Sequence, residues 1–330
     1  MTTRTAPPRA GLTSRIVSVG HYVPSRAVTN DELAARVDTS DEWIRSRVGV
    51  ATRHIAAPTE SVADMAVAAA GKTLVRSGLD ATDIDLVVVA TATAVDRMPN
   101  VAARVARALD VPSAATFDVN VACSGFCYAL ATADHAIRNG TSRNALVVGV
   151  DKMSDFIDWE DRTTCVIFGD GAGAVVVSGT DAPGPAGVGP VVWGSEPQSG
   201  DRITIETTGP TGPPALFRQD GQAVFRWTTS TLAPVAREAC ARAGVDPADL
   251  AGIVTHQANL RIIEPIARKI GARDAIVARD VVDSGNTSAA SVPLALSKLV
   301  ERGELPSGAP VLLLGFGAGL AYASQVIRCP

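Results

Sequence analysis

The second half of this chain repeats the first. At a shift of 166 residues, Asp80-Ala-Thr-Asp-Ile-Asp-Leu-Val-Val-Val lies over Asp246-Pro-Ala-Asp-Leu-Ala-Gly-Ile-Val-Thr. At the same shift, Asn120-Val-Ala-Cys-Ser-Gly-Phe-Cys-Tyr-Ala-Leu lies over Asn286-Thr-Ser-Ala-Ala-Ser-Val-Pro-Leu-Ala-Leu. Phe168-Gly-Asp-Gly-Ala-Gly pairs with Gly315-Phe-Gly-Ala-Gly at a shorter shift of 146, as though the second half has lost about a turn and a helix there. Three matches in one order point to two similar units related by a pseudo-twofold around a central cleft. Cys123 and Ala289 then occupy equivalent helix starts. Asn286 stands just before the second of them, facing the same cleft.

Within each copy, apolar strand-length runs alternate with Ala-rich helical stretches, the pattern of an α/β protein with a mainly parallel sheet. Strands are predicted over 84–90, 145–150, 172–177, 252–256, 311–315 and 321–327, and helices over 62–77, 101–109, 124–139, 223–243, 260–270 and 287–302. A chain of 330 residues, 46% hydrophobic, can bury a large core and supply two fused halves. The divisions read as a loose polar tail over 1–14, an N-terminal half over 15–180 and a C-terminal half over 181–330. The Gly- and Pro-rich stretch 183–214 reads as a connecting surface or pocket-lining loop.

Several function classes are disfavoured. The net charge of −4 argues against a dedicated nucleic-acid binder. Apolar runs such as 86–90 and 311–314 are too short to span a bilayer, and the tail, with Arg4, Pro7, Pro8 and Arg9, lacks a signal peptide's apolar region. The cysteines at 123, 127, 165, 240 and 329 form no CxxC pair and suggest neither a disulfide framework nor a zinc ribbon. A reduced, cytoplasmic setting is the default, and no metal site is expected: the spacing of Cys123, Cys127 and His256 fits no common zinc pattern.

Four segments can carry chemistry. Cys123 follows the strand residues 116–121 and opens a helix, where unpaired backbone N–H groups and the peptide dipole lower a thiol's pKa. Ala122, Ser124 and Gly125 leave room for a substrate. The alternative is an inert buried cysteine. His256 ends a predicted strand and so points into the usual ligand crevice of an α/β protein; a structural histidine is the alternative. His21, His54 and His135 have no such context. Asn286 lies in a Gly-Asn turn entering a helix, where an N-cap is the ordinary role. Gly315-Phe-Gly-Ala-Gly319 offers backbone N–H groups without side-chain obstruction, as an oxyanion hole needs, or else makes a tight turn.

Together these segments resemble β-ketoacyl-ACP synthase III, a condensing enzyme of the thiolase-like superfamily. The resemblance runs from about Ile16 to Arg328. It is carried by Asp38-Thr-Ser-Asp-Glu-Trp-Ile44, Arg53-His-Ile-Ala56, Ala122-Cys-Ser-Gly-Phe126, Phe168-Gly-Asp-Gly-Ala-Gly173, His256-Gln-Ala-Asn-Leu-Arg-Ile262, Gly285-Asn-Thr-Ser-Ala-Ala-Ser-Val-Pro293 and Gly315-Phe-Gly-Ala-Gly319. It implies a five-layered αβαβα fold and a catalytic set of Cys123, His256 and Asn286. Cys123 would take an acyl group from an acyl-CoA, its oxyanion held by the N–H groups of Cys123 and Gly317. His256 and Asn286 would then stabilise the enolate formed as malonyl-ACP loses CO₂. CoA is a substrate portion here, and no cofactor is required.

The resemblance further implies CoA contacts by Trp43, Arg47, Arg162, Gly221, Gln222 and Asn259. Thr39-Ser-Asp-Glu42 reads as a capping box whose helix sets Trp43 and Arg47 on one face. Gln222 departs from an asparagine of the family. Carrier-protein contacts fall to Gln257, Ala258, Asn259, Leu260, Arg261, Arg268 and Lys269, the basic three sharing a helix face that suits an acidic partner. Met98, Phe168 and Phe316 line the acyl pocket, Met98 reaching across a homodimer. Phenylalanine stands at that position in some members, so methionine suggests a more adaptable pocket. Priming of fatty acid synthesis is the favoured reading. A synthase III-like condensing or acyl-transferring enzyme of secondary metabolism and a catalytically silent partner subunit are the alternatives.

Overall fold

The computed structural model describes residues 12–96, 98–181, 187–206 and 215–330. Most of the expected tail and parts of the 183–214 connector lie outside the described residues. The first half runs β1 (Thr13–Tyr22), β2 (Arg26–Thr29), α1 (Asn30–Ala34), α2 (Asp41–Arg47), β3 (Thr52–Ile55), α3 (Val62–Ser77), β4 (Leu86–Ala90), α4 (Val101–Ala108), β5 (Ala115–Val119), α5 (Gly125–Arg138), β6 (Asn144–Lys152) and β7 (Asp170–Thr180). The second runs β8 (Val192–Ser195), β9 (Ile203–Glu206), β10 (Leu216–Gln219), α6 (Gly221–Ala243), β11 (Gly252–Thr255), α7 (Leu260–Ile270), β12 (Ile276–Val277), α8 (Val281–Ser284), α9 (Ser291–Glu301), β13 (Pro310–Gly317) and β14 (Ala321–Arg328).

The main sheets have orders β1-β7-β6-β4-β5 and β12-β11-β13-β14-β8, the same topology read from opposite ends. Registers repeat as well: Leu86 pairs with Ala145 where Gly252 pairs with Val311. Even the helix stops repeat. Gly78 ends α3 and Gly244 ends α6, both in the left-handed conformation that glycine adopts without a Cβ penalty.

Strand alternation builds the layers. Val87, Val89, Leu146 and Val148 face α3 and α4 (Met65, Ala69, Val101, Val105). Val88, Ala90 and Val147 face inward onto α5 and α9 (Phe126, Leu130, Val292, Leu296), which Val311 and Leu313 cover from the other sheet. Leu312 and Leu314 face outward onto α6 and α7 (Leu232, Ala236, Ile262, Ile266). The stack is therefore helix, sheet, helix, sheet, helix. β4 is buried along its whole length because both faces are covered, which explains its unbroken Leu-Val-Val-Val-Ala run.

Four expectations change. Each main sheet is mixed rather than mainly parallel, with two parallel and two antiparallel pairings. The third repeat match, at a shift of 146, does not hold: Gly315 lies in β13 where Gly149 lies in β6, at the common shift of 166. The second half is nonetheless shorter beyond that point, since β13 turns directly into β14 whereas residues 153–169 separate β6 from β7. Thr13 and Ser14 belong to β1 rather than to a tail. The connector contributes β8 to a sheet edge and β9 to a small hairpin; four-residue strands of mixed polarity give little periodic signal.

The halves meet through glycines. A Cβ on Gly149 would lie 2.4 Å from the Ala289 carbonyl oxygen, and one on Gly315 would lie 3.0 Å from Ser124 Cα. Both neighbours are backbone and cannot swing aside. We expect Gly149→Ala to destabilise the fold by about 1–3 kcal/mol, and by more than Gly315→Ala. Denaturant unfolding measures both, and a Gly149→Ala protein as stable as the parent would contradict this packing.

Candidate active site

Each half delivers one strained turn to the centre. Ala122 has φ 45° and Ser288 has φ 51°, left-handed values unusual outside glycine. Each opens a single 3₁₀ turn (Ala122–Ser124, Ser288–Ala290) that runs into α5 or α9. The preceding asparagines brace these turns alike: Asn120 Oδ1 accepts from Ala122 N at 3.3 Å and Asn286 Oδ1 from Ser288 N at 2.9 Å. Strain of this kind costs on the order of 1–3 kcal/mol and persists where its surroundings enforce it.

Cys123, His256, Asn286 and Gly317 line one cavity of about 260 Å³ with Phe168 and Phe316. Gly317 approaches so closely that an added Cβ would lie 2.7 Å from Cys123 Cβ and 3.2 Å from its Sγ. Asn286 is not the N-cap, a position held by Thr287; its Oδ1 braces the turn from one residue earlier, leaving its NH₂ without a partner among the described residues and compatible with a role in the cleft. His256 Nδ1 lies 2.7 Å from Ser291 Oγ, which also accepts from Gln257 N at 3.3 Å. The Ser291 hydroxyl proton has no other acceptor among the described residues. We therefore assign it to Nδ1, which puts the ring N–H on Nε2. Burial pushes His256 down to about 3, so the ring is neutral at physiological pH.

The cysteine departs from expectation. Its opening to the cavity is partial, and burial pushes the thiol up to about 12. The Asp151 charge pushes in the same direction, whereas hydrogen bonds from Ser288 and the cysteine's own N–H pull back. In this site desolvation outweighs the helix N-terminus. Ser288 Oγ stands 3.4 Å from Cys123 Sγ.

The remaining residues divide. Gly221 and Asn259 line the cavity, whereas Gln222 is exposed at the start of α6. The Arg162 guanidinium lies over the Trp43 ring at 5.1 Å, so a flat ligand between them requires the two to part. The helix under Trp43 is capped by Ser40, which accepts from Trp43 N, and not by a Thr39–Glu42 box; the Thr39 hydroxyl is buried without a partner among the described residues. Arg47 is exposed, and its carbonyl accepts from Asn259 Nδ2 at 3.2 Å. Asn259 also caps α7.

Gln257 does not fit a docking surface. It is fully buried, its amide donating to the Thr255 and Ala278 carbonyls and accepting from Val281 N. Leu260 packs beside Gly49, while Ala258 lines the cavity. Arg261 and Arg268 are exposed without ion-pair partners among the described residues, whereas Lys269 Nζ is tied to the Thr229 carbonyl at 2.6 Å. Met98, 89% exposed, is absent from the chain's own cavity.

Sequence reasoning missed Thr163, Phe217, Val224, Phe225 and Ile262 on the cavity wall. Thr163, Phe217 and the pair Val224–Phe225 come from separate segments with no shared motif, whereas Ile262 ends the motif that begins at His256. Ser288 and Ser291 likewise lie inside a motif already singled out. Among the described residues, no cluster of His, Cys, Asp and Glu could hold a metal ion, and no helix is long and apolar enough to cross a membrane.

Known proteins resemble this chain over nearly its whole length. Residues 117–197 match the family described as 3-oxoacyl-[acyl-carrier-protein] synthase III, and residues 240–329 match its C-terminal region. The chain is 62% identical to β-ketoacyl-[acyl-carrier-protein] synthase III 2 of Streptomyces avermitilis, over 96% of this chain and 99% of that one. It is 61% identical to synthase III 4 of Streptomyces coelicolor, with the same coverage. Among solved structures it resembles the priming β-ketosynthase of the R1128 polyketide biosynthetic pathway, with TM-score 0.94 and 41% identity over 100% of this chain and 99% of that one. It also resembles the synthase III of Aquifex aeolicus, with TM-score 0.90 and 36% identity over 96% and 99%.

Proposed function

The chain belongs to the 3-oxoacyl-[acyl-carrier-protein] synthase III family of condensing acyltransferases, and from that premise we propose that Cys123, His256 and Asn286 divide its reaction between them. The observation that carries this reading is their convergence, with Gly317, on one cavity. Cys123 sulfur attacks the thioester carbonyl of an acyl-CoA, and CoA leaves. The oxyanion of the tetrahedral intermediate accepts from the N–H groups of Cys123 and Gly317. One such donor is worth about 3–4 kcal/mol in the barrier. Malonyl-ACP then loses CO₂, and charge grows on its thioester oxygen. His256 Nε2–H and the Asn286 amide supply two donors to that oxygen, and the enolate carbon attacks the acyl-cysteine. A neutral histidine suits this role, because it donates without carrying a charge that burial would oppose.

His256→Ala and Asn286→Ala should still accept an acyl group from acyl-CoA on Cys123 yet lose malonyl-ACP decarboxylation by about 10²-fold or more. Intact-mass and peptide-mapping measurements follow the first step, and CO₂ release follows the second. Acyl groups found on Cys127 or Cys165, or decarboxylation at the parent rate in both variants, would refute the division. A second reading, priming in a polyketide pathway, is favoured by the likeness to the R1128 ketosynthase. A panel of acyl-CoAs in the same mass assay separates the two by chain preference.

The exposed Arg261 and Arg268 of α7 suit an acidic carrier protein. Arg261→Glu combined with Arg268→Glu should weaken turnover with malonyl-ACP and leave acylation by acyl-CoA nearly intact. For the parent enzyme, turnover should fall as salt screens the attraction. Equal losses in both steps would count against docking there.

Met98 is too exposed to serve its own chain's pocket, and we assign it to the pocket of a second copy in a homodimer. Met98→Phe should shift preference toward short primers and Met98→Ala toward longer ones. Sedimentation equilibrium combined with the acyl-CoA panel tests this, and a fully active monomer would end it.

A further inference from the structure

Asp151 is the penultimate residue of β6, fully buried, and its carboxylate is paired with no cation among the described residues. Its carboxylate accepts from Ala289 N at 3.0 Å, Ala92 N at 2.8 Å, Thr91 Oγ1 at 3.1 Å and Thr93 Oγ1 at 2.8 Å. The Ser288 side chain hydrogen-bonds to it as well. The same Ser288 hydroxyl lies 3.4 Å from Cys123 Sγ. One hydroxyl thus touches a buried carboxylate on one side and the reactive sulfur on the other. The neighbouring Lys152 points elsewhere, to the Ala57 carbonyl at 3.2 Å and Asp155 at 3.4 Å. On residues 91–93, 122–124 and 288–290 Cys123 is the one titratable side chain, and the paired strand β7 brings buried Asp170, whose carboxyl accepts from Ala56 N, Ser154 N and Ser154 Oγ.

We propose that Ser288 relays the Cys123 thiol proton to Asp151, and that Asp151 keeps it for the lifetime of the acyl-enzyme. This rests on the reading of Cys123 as the acylated residue. As the sulfur attacks the acyl-CoA carbonyl, the S–H proton passes to Ser288 Oγ and the Ser288 proton passes to an Asp151 oxygen. The C–S bond to CoA breaks, and the CoA thiolate takes a proton from solvent. After the malonyl enolate attacks, the C–S bond to Cys123 breaks. The expelled thiolate then recovers its proton from Asp151 by the same path. The cycle returns both residues to their starting forms and consumes one solvent proton.

The electrostatics favour this order. Burial raises the proton affinity of both Asp151 and Cys123, and the Asp151 charge opposes a second anion on the sulfur. Passing the thiol proton to Asp151 keeps the site at a single negative charge during the attack, and the leaving CoA thiolate carries that charge away. In the acyl-enzyme Asp151 is neutral, so no fixed anion stands behind the acyl-cysteine when the malonyl carboxylate and its enolate arrive. Ser288 is then a catalytic residue, and Asp151 acts through it.

The test uses the full-length protein. Difference infrared spectra are recorded before and after acylation, with mass spectrometry locating the acyl group in the same samples. The protonated-carboxyl C=O stretch is expected to appear on acylation, to shift in D₂O and to be missing in Asp151→Asn. Ser288→Gly, which suits the positive φ, and Ser288→Ala, which retains the strain, should both acylate about 10²-fold more slowly at neutral pH. Both should recover as pH rises, because hydroxide then takes the thiol proton; a merely structural loss would not recover. An acylated parent without the carboxyl band overturns the relay, as does either serine variant that keeps the parent rate and pH profile. A parent in which Cys123 takes no acyl group overturns the relay together with the reading of the site beneath it.

Discussion

Close contact between the two halves is the constraint on which the rest depends. Each half pushes a left-handed turn into the other, and each is received by a strand glycine: Gly149 beneath Ala289 and Gly315 beneath Ser124. Neither turn would hold its conformation in isolation, since a non-glycine residue at positive φ is disfavoured by its own backbone. Packing of α5 against α9 between two sheets supplies the compensating burial. The strained geometry of Ala122 is thus held by the opposite half of the chain, and it sets Cys123 at the cavity.

The pseudo-twofold is also where the two halves part ways chemically. Cys123 in one turn corresponds to Ala289 in the other, and Gly317 at the end of β13 corresponds to Asp151 in β6. In one copy the turn's backbone N–H is taken by the Asp151 carboxylate. In the other, Gly317 lies too close to Cys123 for any side chain, so no carboxylate takes the place of Asp151 there. On the proposed assignment of Cys123, a substrate oxyanion would occupy a position that a side-chain carboxylate fills in the other half. A repeat has become one site and one buttress through two substitutions.

Low polarity governs the charge states in the cavity. Phe316 meets His256 edge-on at 5.1 Å, and Phe168 meets Phe217 at 4.7 Å. Such walls hold His256 neutral and hold Cys123 protonated at rest. Donors aimed at a developing negative charge gain strength in the same surroundings, because little water competes with them. The resting thiol is correspondingly stable, and its activation becomes a question of where one proton goes.

Much of this was legible in the chain itself. The repeat announced two units, and the continuous apolar run of β4 announced a strand covered on both faces. The motifs around Cys123, His256 and Asn286 marked residues that meet in space despite their separation, because each follows or ends a patterned element. What the sequence could not supply were quantities set by neighbours distant along the chain. It placed Cys123 at a helix start and so suggested an acidic thiol, whereas burial and the Asp151 charge reverse that direction. Gln257 looked like part of a docking loop, yet its amide is spent on three backbone groups inside the protein. The hairpin bearing Phe217, and the link from Asp151 through Ser288 to the sulfur, appear only once β6, α5 and α9 are packed together. Local pattern determines which elements form; solvation and hydrogen-bond partners depend on which elements meet, and that only the tertiary structure decides.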